Sequence, residues 1–190
     1  MKWLLAFLIS VLTISSALAE NAYVTQVRRP LFVQTQQITV ANTLTETTLL
    51  GTGIGTVTLP PNYLVQGKVL RIWMWGIHSA VSNPLIQIRV YAGSTLIGDT
   101  GLQASHASTN EQWDTKVDIT CLTTGTTGTV MPGGFYEEDT PTASPFGMPV
   151  TAPITLNTTI AQTLNITVTW GTASLSDTIT AQQILIGYED

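Results

Sequence analysis

The sequence predicts an all-β protein: an antiparallel two-sheet sandwich, jelly-roll-like in its connections, with about eight strands. Three observations predict it. Apolar and polar residues alternate along several segments, as a strand with one buried face requires. No segment beyond residue 19 shows helical periodicity. The chain also holds 33 threonines, β-branched residues that pack well on a pleated surface.

The elements follow in order. Lys2 precedes an apolar run from Trp3 to Leu12, and Ala17-Leu18-Ala19 is a small-x-small site before Glu20. This is the pattern of a secretory signal peptide, so residues 1–19 are expected to be a leader cleaved before Glu20. If retained, the leader would serve as an anchoring helix or a buried arm. Its apolar run is shorter than the ~20 residues a membrane span needs, and no other segment approaches that length. A mature chain without a membrane span is expected. Residues 20–35, interrupted by Pro30, read as an N-terminal arm, because the residue before proline is biased to extended geometry. Residues 36–190 then form one sandwich domain.

Within that domain, ITVANTLTETTLL (38–50) reads as one long threonine-rich strand or a strand with a bend, and GTVTLP (55–60) as a short one ending on Pro60-Pro61. KVLRIWMWGI (68–77) puts Leu70, Ile72 and Met74 on one face and Arg71, Trp73 and Trp75 on the other. LIQIRVY (85–91) repeats that grammar with Ile86, Ile88 and Val90 inward, and TLIGDTG is a hairpin return after the turn at Ala92-Gly93-Ser94. WDTKVDITC (113–121) sets Trp113, Thr115, Val117, Ile119 and Cys121 against Asp114, Lys116 and Asp118. The turn-rich stretch that follows, up to Pro149, reads as a long surface loop with at most one short strand near Thr129. Two strands come from PITLNTTIAQTLNITVTW, with Leu164, Ile166, Val168 and Trp170 inward. TITAQQILIGY closes the fold, aligning Ile184, Ile186 and Tyr188.

Composition narrows the partners. Charged residues are 10% of the chain and the net charge is −5 with only seven basic residues, against a usual charged share of about 25%. Phosphate recognition needs clustered Lys and Arg, so nucleic acid is not an expected partner. Few charges need desolvation when such surfaces meet, which favours self-assembly. Cys121 is the one cysteine and reads as a small apolar core residue.

Chemistry has little to work with. His78 and His106 are the only histidines, read as exposed loop or strand-end residues, so no catalytic residue is assigned and the protein is expected not to be an enzyme. Glu137-Glu138-Asp139 reads as a solvated acidic loop, without the spaced ladder a Ca²⁺ site uses. One cysteine and two distant histidines do not make a zinc site. No metal or cofactor is expected. The glycines of GTGIGT (51–56) lack the lysine and helix of a phosphate loop and read as strand bends. Asn157-Thr158-Thr159 and Asn165-Ile166-Thr167 match the glycan-acceptor pattern, relevant only to a eukaryotic source.

The feature with functional potential is Arg71, Trp73 and Trp75. If the opposite face is core, two indoles point outward, where Trp and Arg are typical of interface hot spots. The same stripe could stack sugar rings, or the faces could be reversed and the tryptophans be core. A flat strand face speaks against sugar, which needs concavity.

The stretch LLGTGIGTVTLPPNYLVQGKVLRIWMWGIHS (49–79), together with WGTASLSDTIT (170–180), resembles strand pairs of tailed-phage virion surface proteins, the β-sandwiches of head decorations and fibre or spike knobs. The resemblance implies a non-enzymatic structural or attachment role on the virion surface. It implies a homo-oligomer, commonly a trimer, that contacts other virion proteins and a host-surface glycan or receptor; it carries over no active-site residue. The leader supports the alternative of a secreted bacterial binding module or adhesin that could bind carbohydrate.

Overall fold

A computed structural model describes residues 29–139 and 144–189, so the leader and residues 20–28 of the arm lie outside the described residues. The strands are β1 (Arg29–Gln34), β2 (Ile38–Ala41), β3 (Thr47–Thr48), β4 (Gly53–Gly55), β5 (Thr58–Leu59), β6 (Val69–Ala80), β7 (Leu85–Ala92), β8 (Thr95–Asp99), β9 (Gln103–Ala104), β10 (Ser108–Thr123), β11 (Thr129–Glu138), β12 (Phe146–Gly147), β13 (Ile154–Thr155), β14 (Gln162–Trp170) and β15 (Thr178–Glu189). Eight of these have five residues or more and form the framework. One sheet runs β12-β11-β10-β6-β15-β1-β4, with β13 on β11 and β2 on β15; the other runs β3-β14-β7-β8, with β5 on β14 and β9 on β7. Every pairing is antiparallel. The all-β two-sheet sandwich is thus observed among the described residues. The strand order does not single out a jelly roll.

The core lies between the sheets. Leu70, Ile72 and Met74 of β6, Trp113, Val117, Ile119 and Cys121 of β10, and Ile184 and Ile186 of β15 meet Ile86, Ile88 and Val90 of β7 and Leu164, Ile166, Val168 and Trp170 of β14. Alternation fixes the register. Sliding β6 by one residue would exchange Leu70, Ile72 and Met74 for Arg71, Trp73 and Trp75. Each core side chain so lost forfeits about 1.5–3 kcal/mol, and burying the guanidinium adds a further cost. Outside the core the threonines pair across strands: Thr39 with Thr180 at 2.8 Å, Thr58 with Thr163 at 3.0 Å, Thr123 with Thr129 at 2.8 Å. Such hydroxyl pairs support a sheet without charges.

Three segments differ from the sequence reading. Residues 38–50 form two strands in opposite sheets, since β2 pairs with β15 and β3 with β14. The break falls at Asn42, whose φ of 50° turns the chain while its N–H bonds to the Ser174 carbonyl. Asparagine tolerates that left-handed geometry. The first half of the arm is not described, but Arg29–Gln34 is a sheet strand between β15 and β4. The third difference is the largest: Thr129–Glu138 is a ten-residue strand on β10, where the sequence reading has a surface loop with at most one short strand near Thr129. Pro132 is accommodated because β13 pairs only with Thr129 and Val130, and β12 only with Phe135 and Tyr136. Between them, and short of the Met148 N–H that bonds the Gly134 carbonyl, the outer edge of β11 has no partner strand at Pro132, a position that tolerates a missing N–H. Gly134 is needed in that strand, as a Cβ there would press on the Lys116 carbonyl at 2.6 Å.

Candidate functional site

Arg71, Trp73 and Trp75 share the outer face of the large sheet. Their neighbours Leu70, Ile72 and Met74 are 0–1% exposed, whereas all three face residues are partly exposed. The tryptophans are therefore outside the sandwich core. Cross-strand pairing organises the face into rows: Gly187–Arg71–Asp118–Gly133, Leu185–Trp73–Lys116–Phe135, and Gln183–Trp75–Asp114–Glu137.

In the first row Arg71 donates from Nε to Asp118 Oδ1 at 2.6 Å and from Nη2 to Oδ2 at 2.9 Å. This forked pair fixes the guanidinium, whose carbon lies 5.6 Å from the Trp73 ring centre. In the second row Lys116 Nζ sits 5.6 Å from the Phe135 ring and reaches Asp114 Oδ2 at 3.6 Å. Exposed pairs of this kind contribute about 0–1 kcal/mol each, so they order the face more than they stabilise the fold. The face is not flat, contrary to expectation. A groove of about 490 Å³ is lined by Trp73, Trp75, Gln112, Asp114 and Lys116. A second, of about 470 Å³, is lined by Arg71, Asp118 and Gly133 of the first row and by Trp73, Lys116 and Phe135 of the second. Gly133 opens the second: it faces outward beside Asp118, and with no side chain there the strand floor is uncovered next to the Trp73–Lys116–Phe135 row.

A second cluster, around Glu138, differs from the sequence reading. His78 is buried at 1% exposure and Glu138 at 2%, although His78 reads as exposed and Glu138 as part of a solvated loop. The parity of β6 carries His78 inward after Leu70, Ile72 and Met74, and the parity of β11 carries Glu138 inward after Val130 and Tyr136. Glu138 Oε2 accepts the His106 backbone N–H at 2.8 Å and lies 3.0 Å from His106 Nδ1. Its Oε1 accepts the Tyr136 hydroxyl at 3.1 Å and lies 3.7 Å from His78 Nε2. Burial first, then the neighbouring Glu138 charge and hydrogen bond, raises the Tyr136 hydroxyl well above its ordinary pKa.

Ser108 Oγ lies 2.8 Å from the same His78 Nε2. A hydrolytic triad would place hydroxyl and carboxylate on opposite ring nitrogens. Here both gather on Nε2, while Nδ1 finds no hydrogen-bond partner among the described residues. The cluster ties β6, β10, β11 and the segment around His106 together at one end of the sandwich. No group of three His, Cys, Asp or Glu among the described residues is arranged to hold a metal ion. Cys121 is a buried core residue, and no helix among the described residues is long and apolar enough to cross a membrane.

Fold and site define a class: a two-sheet sandwich with an ordered aromatic outer face. Comparison with known proteins adds no family, since no family model, curated protein or solved structure matches the chain.

Proposed function

We propose that the chain is a non-enzymatic virion surface protein, a head decoration or a fibre or spike domain of a phage, that meets other macromolecules through the Arg71–Trp73–Trp75 face. The observation that carries this reading is the outward placement of both indoles beside a forked Arg71–Asp118 pair. Aromatic and arginine side chains held in place at the centre of a face are what binding hot spots are made of. The likeness of residues 49–79 and 170–180 to phage virion sandwiches, and the 10% charge content, support the same reading. Self-association as a homotrimer belongs to it, as do contacts with other virion proteins. Light scattering at micromolar concentration tests this: a trimer is expected, and a clean monomer would count against the virion reading.

A second reading, a secreted bacterial binding module or adhesin, is favoured by the signal-like residues 1–19 and by the two grooves. In either case the leader is cleaved and the protein acts at a virion or cell exterior. Intact mass of material made in a secreting host should begin at Glu20; a species still carrying Met1 would show that the leader is retained.

A further inference from the structure

Resting on the reading that this face meets an external ligand, we propose that the outer face of the large sheet binds an uncharged glycan. One pyranose ring stacks on Trp75, and the chain continues along the troughs beside Trp73. Three observations carry the choice of ligand. First, each trough joins aromatic surface to hydrogen-bonding groups within one small space: Trp73 and Trp75 with Gln112, Asp114 and Lys116 in one, Trp73 and Phe135 with Arg71 and Asp118 in the other. A sugar ring has the matching character, an apolar C–H face and a rim of hydroxyls that both donate and accept. Any partner surface without polar groups, pressed on the same face, would strip water from these groups and return no hydrogen bond.

Second, the cations are already matched. Arg71 is paired with Asp118 and Lys116 with Asp114, while Glu137 closes the Trp75 row. Sulfated, uronate or phosphate polymers would need cations without carboxylates beside them. Third, the troughs are concave where a ligand would lie. A Cβ built on Gly133 meets nothing within 4 Å, so the space above the Arg71–Asp118 pair opens outward and is not filled by protein. Troughs on both sides of Trp73 leave room for more than one ring, as an extended chain requires.

The test is affinity electrophoresis of the full chain through gels carrying dextran, laminarin, galactomannan or xyloglucan, with alginate and hyaluronate as anionic counterparts. Retardation by at least one uncharged polymer and by neither anionic one is expected. Trp75→Ala removes the stacking ring. Gly133→Leu fills the second trough while leaving every ring and charge in place, and its circular dichroism and melting should match the parent. Each should weaken retardation about tenfold or more, the size of a hot-spot loss. No retardation by any uncharged polymer, retardation by the anionic polymers alone, or retardation that both variants leave intact would overturn the proposal. Trp75→Ala is also assayed for self-association and particle attachment. A loss there without glycan retardation overturns the glycan while the contact reading stands; no change in either removes both.

Discussion

Glu138 holds its carboxylate where no part of the side chain is exposed, against Tyr136, His106 and His78. A buried carboxylate is tolerated only if its oxygens are satisfied; here the Tyr136 hydroxyl and the His106 backbone N–H donate to them, with the His106 ring nitrogen at 3.0 Å. Removing it orphans the Tyr136 hydroxyl and the His106 backbone N–H together. Glu138→Ala should therefore cost about 2–5 kcal/mol, since each buried donor left unsatisfied costs about 1–3 kcal/mol, whereas Glu138→Gln keeps an acceptor and should cost less. Urea unfolding of the two variants beside the parent measures this; a loss under about 1 kcal/mol for the alanine would show that the cluster does not anchor this end. Part of it was legible in advance. His78 continues the inward parity of Leu70, Ile72 and Met74, but it lies one residue past Ile77, where the alternating pattern KVLRIWMWGI ends, although β6 runs on to Ala80. Glu138 was hidden by its acidic neighbours, which on sequence alone look like a solvated loop.

At the scale of elements, the small sheet carries its own charged network. Arg89 on β7 bonds Asp99 Oδ2 and Glu46 Oε2, each at 3.1 Å. Gln87 and the Gly101 N–H hold Asp99 Oδ1, each at 2.7 Å, and Thr167 holds Glu46 Oε1 at 2.5 Å. Burial alone would raise the Asp99 carboxyl, but the Gln87 amide, the Gly101 N–H and the Arg89 guanidinium together hold it below its ordinary value. Glu46 is likewise raised by burial and, on balance, lowered by the Thr167 and Tyr91 hydroxyls and by Arg89. A carboxylate depressed in the folded state stabilises fully above its unfolded pKa, about 3.9 for Asp and 4.3 for Glu. That contribution is lost as pH falls from there through the folded values. The unfolding midpoint should thus fall between pH 5 and pH 3, on the order of the acid range of these groups, and Arg89→Ala should flatten the dependence. An unchanged slope in the variant would place the acid sensitivity elsewhere.

The long alternating strands were legible element by element: β6, β7, β10, β14 and β15 keep the faces their sequences prescribe. What failed was local punctuation. Pro132-Gly133-Gly134 reads as a turn, but an edge strand open between two short partners can hold a proline, and the close approach of β10 demands Gly134. At residues 38–50 the threonine-rich pattern allows a bend but does not show that the chain crosses between sheets at Asn42. Periodicity reports which face is buried; it does not report when the chain changes sheet.

At the scale of the whole molecule, the Arg71–Trp73–Trp75 stripe was visible in the sequence, but its troughs were not. They depend on Gly133, Phe135 and Lys116 arriving from strands 40 or more positions away. Low charge, hydroxyl-paired sheet surfaces and an ordered aromatic face are the features on which the proposed contact role rests. The double variant Trp73→Ala/Trp75→Ala tests this most directly, with circular dichroism, urea unfolding and sedimentation or particle-attachment measured on the same preparation. The β-spectrum should persist with an unfolding free energy within about 1 kcal/mol of the parent, because partly exposed side chains leave no core cavity. Assembly or attachment should weaken by about 2 kcal/mol or more per ring. A domain that unfolds, losing roughly 3–5 kcal/mol per tryptophan as core truncations do, or a stable one whose assembly and attachment are unchanged, would contradict the assignment of this face as the contact surface.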